Sequence, residues 1–204
     1  MSAAAAGLAS VRVLRRAAPV PVVLLHGLFC HGGFWLPWLE RFPHMQLTVA
    51  TIDYRALFAA GTGLDALGAE VDRIVGAKPA HLVAHSFGCW AGMFAGSDFL
   101  SRSFVCPTFA AERFDHHAFS AEIARRTGDA PAAVALQVAQ AIGVKERHAG
   151  ALRWRAGDDV YLAGDDPYFH YVAHLAQGRV HACRGGHFEI GEAMDAIARG
   201  IALR

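Results

Sequence analysis

Val20–Leu25 (VPVVLL), Gln46–Ile52 (QLTVATI) and Ala80–Ala84 (AHLVA) are short apolar runs rich in β-branched residues. They are too brief for helices and too uniformly apolar for strands with one wet face, so they read as strands buried on both sides. Ser103–Cys106 (SFVC) is a weaker fourth run and Arg179–Cys183 (RVHAC) a last one. Between the second and third, Leu64, Leu67, Val71, Ile74 and Val75 recur at helical spacing. Strands that alternate with helices specify an α/β fold, a mostly parallel central sheet with helices on both faces. A chain of 204 residues fits one such domain with a substantial core, so 1–204 is read as a single domain.

Phe114 to Gly143 interrupt that rhythm. A helical pattern around Phe119 to Arg126 is followed by Thr-Gly-Asp, and Pro131 then opens a second helix that Gly143 closes. Residues 112–148 are therefore expected to form a small helical cap inserted in the α/β domain. Ile190, Ala193, Ile197 and Ile201 line one face of a final helix.

Charge narrows the partners. A net charge of +1 with no like-charge block argues against a nucleic-acid partner. No apolar run is long enough for a membrane span. The Ala-rich start has its arginines after the apolar part, the reverse of a secretory signal, so a cytoplasmic setting is expected. Cys30, Cys89, Cys106 and Cys183 form no CxxC pair and are expected to be free, buried thiols. Oligomeric state is not legible.

Chemistry concentrates at three places. In His81–Trp90 (HLVAHSFGCW) a buried strand runs directly into a helix through Ala84-His85-Ser86-Phe87-Gly88, a small-x-Ser-x-small pattern. A nucleophile on such a turn sits in strained backbone and needs neighbours almost free of side chain. Ala84 stands where glycine is more usual. Gly88 and Gly92 let the helix approach the sheet, and its N-terminal dipole favours negative charge near Ser86. The second place is His26-Gly27 at the end of the first buried strand, where Gly27 permits a sharp bend. That bend would aim the Leu28 amide at the space above the sheet, opposite the Phe87 amide, forming an oxyanion hole.

With these two motifs the chain, from about Val20 to its C-terminus, resembles the α/β-hydrolase fold superfamily of serine hydrolases and esterases. The resemblance implies a chain order of serine, acid, histidine, with no metal or organic cofactor. The third place supplies the histidine: Gly185-Gly186-His187-Phe188 follows the last strand and resembles the family's general base. His85 adjoins Ser86 but is expected to point away from it. His170 and His174, spaced i,i+4, could clasp a metal, but without a third ligand they read better as a helix surface.

Two aspartates compete for the acid. Asp159 lies 28 residues before His187, close to the family's usual gap, if Ala151–Ala156 forms the preceding strand. Asp166 lies 21 residues before it, after the better buried-strand sequence Val160–Ala163. Asp166-Pro167 also reads as the N-cap and first turn of a helix, so Asp159 is favoured and Asp166 kept as the alternative. Asp158 and Asp165 are discounted by strand alternation.

The resemblance implies a carboxylic-ester hydrolase working through an acyl-enzyme on a small-molecule, ester-like substrate of small or medium acyl length. Ser86, Asp159 and His187 would be its triad. The alternatives are an acyltransferase or thioesterase with the same triad, or a non-catalytic ligand-binding protein on this fold. Phe29, Phe34, Trp35, Trp38 and Phe119 are candidates to line an acyl pocket. Cys30 and Cys89 flank the site, and a thiol at a helix start can have a lowered pKa.

Overall fold

The computed structural model describes residues 9–14, 20–61 and 63–203. The apolar runs form the middle of one sheet: β2 (Pro21–Leu25), β3 (Gln46–Ile52), β4 (Ala80–His85), β5 (Phe99–Val105), β7 (Asp159–Ala163) and β9 (Arg179–Cys183). With β1 (Ala9–Leu14) the order is β1-β3-β2-β4-β5-β7-β9; β1 pairs antiparallel with β3 and every other pair is parallel. All five residues of β2 and all six of β4 are buried, as their continuous apolar character predicts.

Alternate residues feed two cores. Val23, Leu25, Leu82, Ala84 and Phe104 pack on one face with α2 (Leu64–Val75) and α3 (Gly88–Phe94). Val22, Leu24, Val83 and Val105 pack on the other with the inward stripe of α6 (Gly191–Ala202) and the buried Trp35. The short α1 (Tyr54–Ala59) follows β3 and buries Tyr54 and Leu57 in the first core.

Between β5 and β7 the chain builds α4 (His116–Thr127) and α5 (Pro131–His148), the two helices expected there, with α5 continuing through Gly143 for five more residues. A third apolar cluster containing Phe119, Ile123, Val134, Val138 and Phe169 lies beneath them. Two features around this insertion depart from expectation. First, a two-stranded ribbon of β6 (Ala111–Phe114) and β8 (Phe169–Tyr171) stands where no strand was read. Second, Asp166-Pro167 opens no helix; it leads into β8 and a 3-10 turn at Ala173–Leu175, so His170 and His174 share no helical face. Among the described residues no helix is long and apolar enough to cross a membrane.

Ala151–Ala156 is not a strand, and its arginines explain why. Arg153 donates to Phe94 O at 3.1 Å, and Arg155 to Ser97 O at 2.6 Å and Ala95 O at 3.0 Å. These carbonyls sit at and just beyond the end of α3, where helix carbonyls lack partners. Deeper in, Arg102 on β5 forks onto Asp158 at 2.8 and 2.6 Å, with side chains 1% and 2% exposed. Arg102 also donates to Gly92 O and Arg153 O, so the pair is hydrogen-bonded on its remaining sides. Removing one partner strands a buried charge. Asp158→Ala should therefore lose about 3–5 kcal/mol in urea unfolding, and an unchanged midpoint would exclude this pair as an anchor of β7.

His26, at the end of β2, locks that strand to β3. Its Nε2 accepts the Ile52 amide at 3.0 Å and its Nδ1 donates to Gly27 O at 2.8 Å, an arrangement only the neutral ring can make. Burial drives its pKa down from 6.5 to about 4. As pH falls through that window the unfolded chain takes up a proton that the folded chain refuses, so stability declines. This group alone accounts for about 3 kcal/mol between about pH 6.5 and 4. Urea midpoints measured across that range should fall steeply in the native chain and less in His26→Gln; equal slopes would remove His26 as a source.

Candidate active site

Ser86 follows β4 directly, and its backbone is left-handed, with φ of 53°. A non-glycine residue there is strained unless its surroundings enforce it. They do: the Ser86 amide donates to Val105 O at 2.9 Å, and α3 starts two residues later. The crossing of β2 and α3 is close enough to exclude side chains. A Cβ on Gly88 would fall 2.4 Å from His26 O. A Cβ on Gly27 would fall 2.7 Å from the Ser86 Cβ and 3.2 Å from its Oγ. Gly27 is thus required for close approach; its backbone is not in the left-handed region that the expected sharp bend would use.

His187 comes from the turn after β9. Its Nε2 lies 2.8 Å from Ser86 Oγ and its Nδ1 2.9 Å from Asp166 Oδ2. The side chains of His187 and Asp166 are 1% and 0% exposed. The structure brings Ser86, His187 and Asp166 together and leaves Asp159 out. Asp159 begins β7 rather than ending a strand; it pairs in register with Ser103, itself level with Val83. That is three strand residues, about 10 Å, below Ser86. There it accepts Arg179 and His181, each at 2.8 Å. Asp166, in the turn beyond β7, also accepts the amides of Tyr168 at 2.9 Å and Phe169 at 3.0 Å. Burial alone would raise its pKa, but bonds from His187 and these amides outweigh it, and the net shift is downward. The carboxylate is held charged beside the imidazole.

Two further groups brace this arrangement. The Tyr171 hydroxyl donates to Asp166 Oδ2 at 2.9 Å and lies 3.1 Å from His187 Nδ1. Burial, then the neighbouring Cys106 and Asp166, keep it protonated. His85, expected to point away from Ser86, makes no described hydrogen bond to it; its Nε2 donates to His187 O at 2.7 Å and its ring stacks on Phe34. Burial keeps that ring neutral. The His187 ring is itself stacked on Phe169, with centroids 4.6 Å apart, and meets Phe119 edge-on. Neither Tyr171 nor His85 carries a motif of its own. The one available signal was His85's position beside Ser86.

A cavity of about 440 Å³, its opening included, lies over Ser86. Leu28, Phe87, Phe114, Phe119, Val138 and Phe169 are among its walls. Leu28 and Phe87 therefore flank the serine from two different loops, and no described hydrogen bond engages either amide. Of the aromatic residues expected to line an acyl pocket, only Phe119 does. Phe29, Phe34 and Trp38 line a separate groove, and Trp35 is buried in the core beneath α6. The four cysteines are free, as expected, but only Cys89 and Cys106 are fully buried; Cys30 and Cys183 are partly exposed. Burial pushes the Cys30 thiol up to about 12 and the Cys89 thiol well above its ordinary value, the opposite of an activated helix-start thiol. His85, Cys106 and His187 cluster within 4.8 Å, but both His187 nitrogens face Ser86 and Asp166, so a metal there would have to break that chain of bonds.

Known proteins share this fold. The chain is similar in structure to the NocB thioesterase domain (TM-score 0.68, 17% identity, covering 95% of this chain and 99% of that one). It is similar to a monoacylglycerol lipase of Paleococcus ferrophilus (TM-score 0.67, 15% identity, 96% and 98% covered). A third is the carboxylesterase CesB of Bacillus subtilis (TM-score 0.59, 14% identity, 94% and 86% covered). No curated protein matches the chain in sequence. The model of the alpha/beta hydrolase family matches residues 22–200, and the chain belongs to that family.

Proposed function

We propose that the protein is a serine hydrolase that cleaves carboxylic esters through an acyl-enzyme. The observation that carries this reading is the unbroken hydrogen-bonded line from Ser86 Oγ through His187 to the buried Asp166. His187 Nε2 takes the hydroxyl proton as Oγ bonds to the acyl carbon. The Asp166 carboxylate holds the ring in the Nδ1–H tautomer and stabilises its charged form. The Leu28 and Phe87 amides receive the developing oxyanion, each donor contributing about 3 kcal/mol in such sites. As the tetrahedral species collapses, the bond to the leaving oxygen breaks and His187 returns the proton to it. Water then repeats the sequence, releasing the carboxylic acid and restoring Ser86. Residues 112–148 form the cap, with α5 facing the acyl group.

A second reading, thioester hydrolysis by the same steps, draws on the likeness to the NocB thioesterase domain, which forms a covalent complex with a fluorophosphonate nocardicin G analog. Matched 4-nitrophenyl esters and acyl thioesters of the same acid, compared by kcat/KM, separate the two readings.

A fluorophosphonate probe is expected to label the native chain at Ser86 and to leave Ser86→Ala unlabelled. Labelling elsewhere, or turnover by Ser86→Ala, would end the assignment. Asp166→Asn should lower ester turnover by about three to four orders of magnitude with Ser86 still in place. Asp159→Asn, whose partners are largely exposed, should cost at most about 1 kcal/mol of stability and little rate. The opposite ranking would return the acid role to Asp159. Gly27→Ala should fold yet lose activity, because its methyl displaces the serine; full activity would show that the elbow tolerates the contact.

A further inference from the structure

The cavity beside Ser86 is apolar along most of its wall, but one lysine forms part of that wall. Val138, Ala141, Ile142 and Lys145 all line it, and they follow i, i+3, i+4, i+7 spacing on α5. Lys145 thus occupies the inward stripe of the helix, where the spacing calls for another apolar residue. It is one of only two lysines in the chain, and the only ionisable side chain besides the nucleophile's own hydroxyl among the cavity's lining residues. Its Nζ donates to Ala111 O at 2.9 Å. An ammonium carries three donors, and among the described residues no carboxylate lies within ion-pair distance of this one.

Thr108 supplies a second donor on the same wall. Its Oγ1 accepts the Trp90 indole N–H at 2.9 Å, which leaves the hydroxyl proton directed to another acceptor. Both side chains are half-buried, and burial lowers the Lys145 pKa. A ligand that brings an anionic acceptor to this wall gives both groups a charge-assisted partner at once.

We propose that Lys145, with Thr108, selects acyl groups that carry a carboxylate at the end remote from the scissile bond. The preferred substrates are then half-esters of dicarboxylic acids rather than esters of plain alkanoic acids. This rests on the hydrolase reading above. The reacting carbonyl sits at Ser86, the methylene chain lies against Phe119, Val138 and Ile142, and the far carboxylate meets the ammonium. A purely structural lysine, present only to satisfy the Ala111 carbonyl, would give no such preference.

The test compares 4-nitrophenyl monoesters of adipic and suberic acids with 4-nitrophenyl hexanoate and octanoate, matched in chain length. In the native chain the kcat/KM ratio of half-ester to alkyl ester should be roughly 10 to 100, the scale of a charge-assisted hydrogen bond. Lys145→Met should bring the ratio to about one or below, while Lys145→Arg, which keeps the charge, should hold it above one. A native ratio at or below one, with the alkyl esters turned over, overturns the carboxylate assignment and leaves the hydrolase reading standing. A high native ratio that survives in Lys145→Met overturns the role of Lys145. Failure of every ester, together with no fluorophosphonate labelling of Ser86, removes the hydrolase reading and this proposal with it. The native ratio decides even if the methionine variant fails to fold.

Discussion

The structure depends on a left-handed residue held at the end of a buried strand. Ser86 keeps φ at 53° because β4 must stop and α3 must begin within two residues, over a point where β2 passes almost in contact. Strain of this kind costs about 1–3 kcal/mol and persists only where packing over-determines it. Here the enforcing contacts are the Val105 carbonyl on the Ser86 amide and the absence of side chains at Gly27 and Gly88. Both cores feed the same junction, since α3 is buried along its whole length against one sheet face while β4 sends Val83 to the other.

From that fixed point the imidazole is positioned by restraint rather than by one strong bond. His187 has Ser86 and Asp166 on its two nitrogens, Phe169 stacked on its face and Phe119 at its edge. Its own carbonyl is held by His85, which the strand carries up beside the serine. These groups together leave the ring little freedom to turn, which is the condition for proton transfer without a search for geometry. His26 and His85, both buried and both kept neutral, show the same logic applied to backbone groups: His26 accepts the Ile52 amide and donates to Gly27 O, and His85 donates to His187 O.

Much of this was legible because it rests on periodicity and local steric need. Continuous apolar runs named β2, β3 and β4, and a serine between small residues marked the junction. What was not legible turned on tertiary pairing. Arg153 and Arg155 look like alternate residues of a strand, yet they reach carbonyls at the end of α3, some sixty positions away in the chain. Asp166-Pro167 has the chemistry of a helix start, yet the turn delivers its carboxylate to His187 and its chain to β8, because β6 offers a partner for an extended segment. The partner of His85 was not legible either. At the last residue of β4 the ring is within reach of the turn after β9, a neighbour that exists only once the sheet is assembled.

The sequence holds AGDD twice, at 156–159 and 163–166, and its four aspartates make the general point. Asp158 is sealed against Arg102, Asp159 meets Arg179 and His181 across to β9, and Asp166 stands against His187. Asp165 takes the Gly185 amide at 3.1 Å while its own amide donates to Gly185 O, tying the turn that carries Asp166 to the turn that carries His187. The same residue in the same local sequence therefore has four physical roles, and the strand that separates the pairs decides among them. One pair lies at the entry of β7, where burial demands a counter-charge; the other lies beyond its exit, where the sheet ends and a carboxylate can face a ring. Strand direction, more than the motif, sets which end of the sheet gathers Ser86, Asp166 and His187, because in a parallel sheet all the loops that can meet above the serine leave from the carboxyl ends of their strands.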